Sequence, residues 1–319
     1  MQIEELVLNI SAGQKGKRLD IALAELCPQH SRSRLQGWIK SGYVMVDDVI
    51  PRQRDVVQGG ETINIRAEFE GADKNWAKES IPLDIVHSDR DVIIINKPPG
   101  LVVHPGAGNR EHTLLNALLF HFPELEQVPR AGIVQRLDKD TSGLMVVARN
   151  ITAHTWLVGQ LHDRLVTREY RAIVSGVMTA GGSVDAPIGR HPVKRKSMAV
   201  VESGKPAITH YRVLQKFPAN TYIQLKLESG RTHQIRVHMA HIRYPVVGDP
   251  IYGGRQRFPK SAGPALLKEL QSFPRQALHA SRLEFTHPRK LKLVGWEAPI
   301  PADIQHLLEL LETHGQEAG

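Results

Sequence analysis

Gln135-Arg136-Leu137-Asp138-Lys139-Asp140-Thr141-Ser142-Gly143-Leu144-Met145-Val146-Val147-Ala148 sets a charged turn directly against an apolar, strongly strand-like run. Loops held by rigid strands are where catalytic groups usually sit, and a solvated surface turn is the competing reading. Outward from this stretch, short apolar strands are expected at Val92–Ile95, Tyr170–Val174, Thr221–Leu227 and Leu291–Trp296, separated by Gly/Pro turns. Helices are expected at Thr113–Phe120, Ala153–His162, Thr232–Ala240 and Ile304–Leu311. Strands interrupted irregularly by helices, with no βαβ alternation, predict an α+β domain on a mixed or largely antiparallel sheet. That domain is expected over residues 81–319.

The first 75 residues read as a small unit of their own, with a core at about 18–66. Leu19, Ile21, Leu23 and Leu26 predict a short helix closed by Pro28. A second helix runs from Ser31 or Ser33 to Lys40, with Leu35, Trp38 and Ile39 inward. Arg32, Arg34, Gln36 and Lys40 are left largely outside. A strand at Tyr43–Val46, a turn at Asp47-Asp48 and a strand carrying Ile63 and Ile65 complete the unit. Residues 67–80 lose periodicity and read as a linker.

Lys and Arg number 41 against 33 Asp and Glu, a formal charge of +8 over 319 residues. A basic surface of this kind attracts polyanions. The single cysteine, Cys27, excludes an intramolecular disulfide framework and a cysteine zinc finger. The longest apolar runs are strand-length, so no membrane partner is expected. The start carries Glu4 and Glu5 and does not read as a secretory signal, and a cytoplasmic protein is expected.

The Arg136–Leu144 stretch resembles the signature loop of the large-subunit type of RNA pseudouridine synthase, with Gln135 standing where glycine or histidine is usual. Further landmarks of that family follow in order: Asn96-Lys97-Pro98-Pro99-Gly100-Leu101 with His104-Pro105, Arg168-Glu169-Tyr170, and Gly230-Arg231-Thr232-His233-Gln234-Ile235-Arg236-Val237-His238. Gly248-Asp249-Pro250-Ile251-Tyr252-Gly253 and Leu278-His279-Ala280 complete the set. The amino-terminal unit resembles the S4 RNA-binding domain. The resemblance covers nearly the whole chain.

The resemblance implies isomerisation of uridine to pseudouridine in 23S rRNA or the large-subunit precursor, at the stem-loop called helix 69. It implies Asp138 as the essential carboxylate, Arg231 as its partner cation, and Tyr170 as the aromatic beneath the uracil. A carboxylate is ionised at neutral pH, and a guanidinium keeps it so when desolvated. Tyr170 can stack on the base and relay the proton lost from C5. Arg136 resembles the side chain that fills the gap left by a flipped nucleotide. Lys194, Arg195 and Lys196 read as a phosphate-contacting loop, and Arg32, Arg34 and Lys40 as contacts of the small unit. No cofactor is expected, and a monomer is.

Other features are weaker. Arg18-Leu19-Asp20 repeats the signature tripeptide without its continuation and reads as a helix start. His233, His238 and His241 lack both helical metal spacing and a nearby carboxylate, so no metal is expected. Gly106-Ala107-Gly108 is too short for a nucleotide cradle. An aspartyl-phosphate phosphatase needs an uninterrupted apolar strand into its aspartate, where Gln135 and Arg136 stand. A purely RNA-binding protein would leave the large domain without a purpose.

Overall fold

The computed structural model describes residues 2–27, 30, 32–69, 76–106, 108–194, 197–254, 258 and 262–316, with side chains except at 2–4, 33–34, 68–69 and 314–316. The chain divides into two compact units, Met1–Asn75 and Trp76–Gly319.

The first unit contains β1 (Gln2–Asn9), α1 (Leu19–Leu26), α2 (Arg32–Lys40), β2 (Val44–Val46) and β3 (Thr62–Phe69). Its antiparallel sheet has the order β1-β3-β2. Leu19, Ala22 and Leu23 share one helical face, and so do Leu35, Trp38 and Ile39; both faces are buried with Ile63 and Ile65. Strand β1 is an addition to the expected ribbon. It pairs with β3 along its whole length, and its alternation is plain once paired: Leu6 and Leu8 pack on the core while Val7 is 71 % exposed. Arg18-Leu19-Asp20 is indeed a helix start. Asp20 is wholly buried and accepts hydrogen bonds from Arg18, Arg32 and Gln36. Arg32 therefore differs from a free outward cation: its Nη2 lies 2.7 Å from Asp20 Oδ2.

The expected 67–80 linker is also structured at both ends. Ala67 lies in the core of the first unit, and Trp76 packs on the core of the second. The Glu79 N–H donates to Asn116 O at 3.1 Å. Polar composition concealed both because the apolar anchors there are isolated residues.

In the second unit, β4 (Ile85–Ser88) and β5 (Val92–Lys97) form a hairpin, followed by α3 (Leu114–His121), β6 (Ser142–Ala148) and α4 (Ile151–His162). Next come β7 (Thr167–Ser175), β8 (Gly182–Asp185), β9 (Ile188–Arg190), β10 (Met198–Val200), β11 (Ile208–Lys216) and β12 (Asn220–Leu227). The chain closes with α5 (Gln234–His241), α6 (Pro264–Ser272), β13 (Leu278–Thr286), β14 (Leu293–Glu297) and α7 (Ala302–Gln316). Among the described residues one nine-stranded sheet has the order β4-β5-β6-β13-β7-β12-β11-β8, with β14 also paired to β13. The β6–β13 pairing is parallel and the others are antiparallel, so the fold is α+β on a largely antiparallel sheet. Strands β9 and β10 form a separate hairpin. No helix among the described residues is long and apolar enough to cross a membrane.

The continuous apolar character of β5 and β6 follows from cover on both faces. Ile93, Ile95, Met145 and Val147 join the large core with α3. Val92, Ile94, Leu144, Val146 and Ala148 join Ala153 and Leu157 of α4 on the other side.

The parallel contact at the sheet centre is unusually close. Gly143 pairs with Ala280 at φ +114°, and a Cβ there would lie 2.2 Å from Ala280 O. Backbone strain and overpacking then act together. Gly143→Ala is expected to destabilise the protein by about 3 kcal/mol, measured by denaturant unfolding. An unchanged midpoint would contradict the close approach.

Candidate active site

The loop that carries Asp138 enters β6 from a short helical turn, Pro129–Gly132, in which Arg130 and Ala131 have φ of 55° and 51°. Buried side chains from two other segments then fix successive residues of that loop. Lys97, wholly buried at the end of β5, donates to the carbonyls of Pro98 (2.7 Å), Leu101 (3.0 Å) and Lys139 (2.9 Å). Burial pushes Lys97 down to about 7, against the pull of Asp140 and Asp138. Its three carbonyl acceptors match the three hydrogens of the ammonium form. Arg275 Nη1 donates to Asp140 O at 3.1 Å, and Asp303 grips the same guanidinium at 2.6 and 2.9 Å. Gln276 Nε2 donates to Thr141 Oγ1 at 3.0 Å. Ser142 Oγ meets His279 Nδ1 at 2.9 Å, and burial with Arg275 pushes this imidazole down to about 4.

The cation paired with Asp138 is Arg236, not Arg231. Arg236 Nη1 lies 2.9 Å from Asp138 Oδ2. Its Nε and Nη2 meet Asp249 Oδ2 and Oδ1 at 2.7 and 2.9 Å. Asp249 Oδ1 also accepts the N–H groups of Ile251 and Tyr252 at 2.9 and 3.0 Å. The guanidinium lies over the Tyr252 ring, 5.1 Å from its centroid. Burial pulls the Arg236 pKa down, but Asp249 and Asp138 hold it above the ordinary value. Arg236 holds Asp249 low in return, against the burial that would raise it.

Arg231 sits in the turn before α5, where its Nε donates to Pro206 O at 3.2 Å. The two arginines stand five positions apart in one motif, so spacing does not choose between them. The available signal was burial: Arg236 falls among Ile235, Val237 and Met239 of α5, and a charged side chain on a buried helix is kept only with a partner.

Tyr170, on β7, is buried beside these groups. Its burial raises the phenol pKa; Arg168 opposes this and Asp138 adds to it. Asp138, Tyr170, Arg136, Arg231, His233 and Arg236 line one open cleft of about 960 Å³. That volume admits a nucleotide. Asp138 is 16 % exposed, and its Oδ1 faces His233 Nε2 at 3.9 Å. Arg136 is exposed at the cleft wall.

Lys194, another expected RNA contact, is not among the residues that line the cleft. Lys194 is exposed in the loop joining β9 to β10; Arg195 and Lys196 lie outside the described residues. Lys40 is exposed on α2, and the Arg34 side chain is outside the described set. Asp89, Asp91 and His287 bring ligand atoms within 4.8 Å of one another, away from the cleft lining. Arg289 grips Asp91 at 2.6 and 2.9 Å, and His287 and Lys290 meet Asp89 at 2.9 and 3.4 Å. These contacts staple the β4–β5 turn to the β13–β14 turn.

The family model described as RNA pseudouridylate synthase matches residues 91–241, which span the signature loop, Tyr170 and Arg236. A ribosomal large subunit pseudouridine synthase D from Pseudomonas aeruginosa is 57 % identical over 93 % of this chain and 92 % of its own. The chain belongs to the RNA pseudouridylate synthase family. Like its relatives, this synthase is an isomerase acting on RNA. The protein of the same name from Escherichia coli K12 is 53 % identical over 98 % of this chain and 96 % of its own. Among solved structures, human RNA pseudouridylate synthase domain containing 4 aligns with a TM-score of 0.56 at 28 % identity. It covers 72 % of this chain and 92 % of its own.

Lys97 tests whether the loop needs its buried anchor. Lys97→Met leaves three carbonyls without their buried donor and is expected to cost about 2–4 kcal/mol of stability. Pseudouridine formation should fall by at least about tenfold through misplacement of Asp138. Unfolding curves and rates on the same preparation check both; wild-type activity in this variant would contradict the anchoring role.

Proposed function

We propose that this synthase converts uridine to pseudouridine in 23S rRNA of the large ribosomal subunit, at the helix 69 stem-loop, with Asp138 as the essential carboxylate. Relatives named for the large ribosomal subunit support the substrate class. The observation that carries the chemistry is the asymmetry of the Asp138 carboxylate. Oδ2 is pinned by Arg236, whereas Oδ1 has no hydrogen bond among the described residues and faces His233 Nε2 at 3.9 Å.

The reaction breaks the C1′–N1 glycosidic bond and forms a C1′–C5 bond; C5 loses a proton and N1 gains one. Atoms and electrons balance without a redox partner or co-substrate, so no cofactor is required. Attack at C1′ and removal of a sugar proton both call on the same free oxygen, Oδ1. Tyr170 supplies a flat apolar surface for the uracil. Its raised pKa keeps the phenol protonated, so it can take the C5 proton only by passing its own onward.

A uridine in a stem-loop reaches this cleft only by leaving its stack, and in this reading Arg136, exposed in the cleft lining, fills the gap. Lys40, Arg34, Lys194, Arg195 and Lys196 contribute phosphate contacts, with the first unit acting as an S4-like RNA-binding domain. Arg32 contributes less, because Asp20 holds its guanidinium. The reading includes action as a monomer, and an rRNA substrate supports action in the cytoplasm.

Asp138→Asn keeps the shape but has neither nucleophile nor base. Its rate of pseudouridine formation on unmodified 23S rRNA is expected to fall below about a thousandth of wild type. RNA affinity should stay within a few-fold, because phosphate contacts dominate it. Conversion at the wild-type rate would refute the assignment, and loss of binding would mean that Asp138 is structural.

A further inference from the structure

Tyr252 stands three residues after Asp249, and its hydroxyl makes two hydrogen bonds. The Met198 backbone N–H, at the start of β10, lies 2.9 Å away and can only donate. The phenol has one hydrogen, and given to His233 Nδ1 at 2.8 Å it makes that nitrogen the acceptor. A neutral imidazole that accepts at Nδ1 carries its own hydrogen on Nε2. That nitrogen is the one 3.9 Å from Asp138 Oδ1.

The surroundings keep this imidazole neutral. Burial lowers the His233 pKa; Asp138 and Asp249 oppose it, Arg236 and Arg136 add to it, and the net shift is downward. Protonation of both ring nitrogens would add a cation beside two arginines. His233 also has φ 56° and ψ 23° at the N-terminus of α5, yet its side chain makes no capping hydrogen bond. Left-handed backbone at a non-glycine residue persists only where the surroundings enforce it, and such residues collect at functional sites. The side chain here faces the cleft, 18 % exposed.

A gap of 3.9 Å is too long for a hydrogen bond to Oδ1, and it leaves the Nε2–H without an acceptor among the described residues. An oxygen of a nucleotide seated against Asp138 would complete it. We propose that His233 is a further substrate-contacting residue, a neutral imidazole that presents Nε2–H to a carbonyl or hydroxyl oxygen of the target nucleotide beside Asp138, and that Tyr252 is the positioning residue that fixes this tautomer. The proposal rests on Asp138 acting on uridine in rRNA. It also gives the β9–β10 hairpin a stake in the site, since Met198 supplies the donor that turns the phenol hydrogen toward His233.

Three variants test it on unmodified 23S rRNA, by single-turnover rate and by dissociation constant. Glutamine places its amide nitrogen near the position of imidazole Nε2, and asparagine places it near Nδ1. Left-handed backbone favours asparagine, so stability and chemistry pull in opposite directions. His233→Gln is expected to keep the rate within about threefold, while His233→Asn falls by about thirtyfold or more, the loss of one charge-positioned donor. Tyr252→Phe retains the ring beneath Arg236 and loses only the hydroxyl; a fall of about tenfold in rate at unchanged affinity is expected. An asparagine variant at least as active as the glutamine variant would overturn the proposal, because backbone tolerance alone would then explain His233. A wild-type rate in Tyr252→Phe would overturn it as well. An inactive wild-type enzyme on this RNA would instead refute the substrate reading beneath it.

Discussion

Arg236 stands between two carboxylates, and the cleft is organised around that fact. Asp249 takes two of its nitrogens and Asp138 a third. A buried guanidinium with a single carboxylate would have donors left over, and a buried carboxylate without a cation would protonate or turn to solvent. With Asp249 also capped by two backbone N–H groups, the cation cannot rotate toward Asp138 or away from it. Asp138 thereby has one oxygen occupied and the other left for chemistry. The planar fork of arginine is what permits this bridging, since a lysine offers one point charge.

The loop on the other side of the ion pair is held just as firmly, by different means. Lys97, Arg275, Gln276 and His279 each take one group of residues 139–142. Three of these four anchors lie within five residues at the start of the central strand β13, and the fourth ends β5. The same sheet that forms the hydrophobic core therefore also sets where Asp138 sits. Gly143 follows at once, where the β6 backbone meets β13 too closely for any side chain. Tight packing and catalytic placement are one constraint in this segment.

Much of this was readable from the residues. Strands covered on both faces, β5 and β6, announce themselves as apolar runs, and α3, α4, α5 and α7 by their spacing. Strand β13 was visible only as a short landmark, because its register shifts between Ala280 and Arg282 and its polar residues face buried partners. Strand β1 was missed because pairing with residues more than fifty positions away leaves no local sign. Asp138 and Tyr170 stood out through the motif, but the choice between Arg231 and Arg236 depended on which face of a turn enters the interior. Lys97 looked like a motif letter until its carbonyl acceptors were seen, and His233 looked like a failed metal ligand.

Replacing each arginine in turn separates the ion-pair partner from its neighbour in the motif. Initial rates of pseudouridine formation on unmodified 23S rRNA should fall by about a hundredfold or more in Arg236→Lys, since lysine cannot bridge Asp138 and Asp249. Arg231→Lys should stay within about fivefold of wild type, because among the described residues its side chain hydrogen-bonds the Pro206 carbonyl and not Asp138. The reverse order, with Arg231→Lys inactive and Arg236→Lys close to wild type, would contradict the pairing on which the site is built.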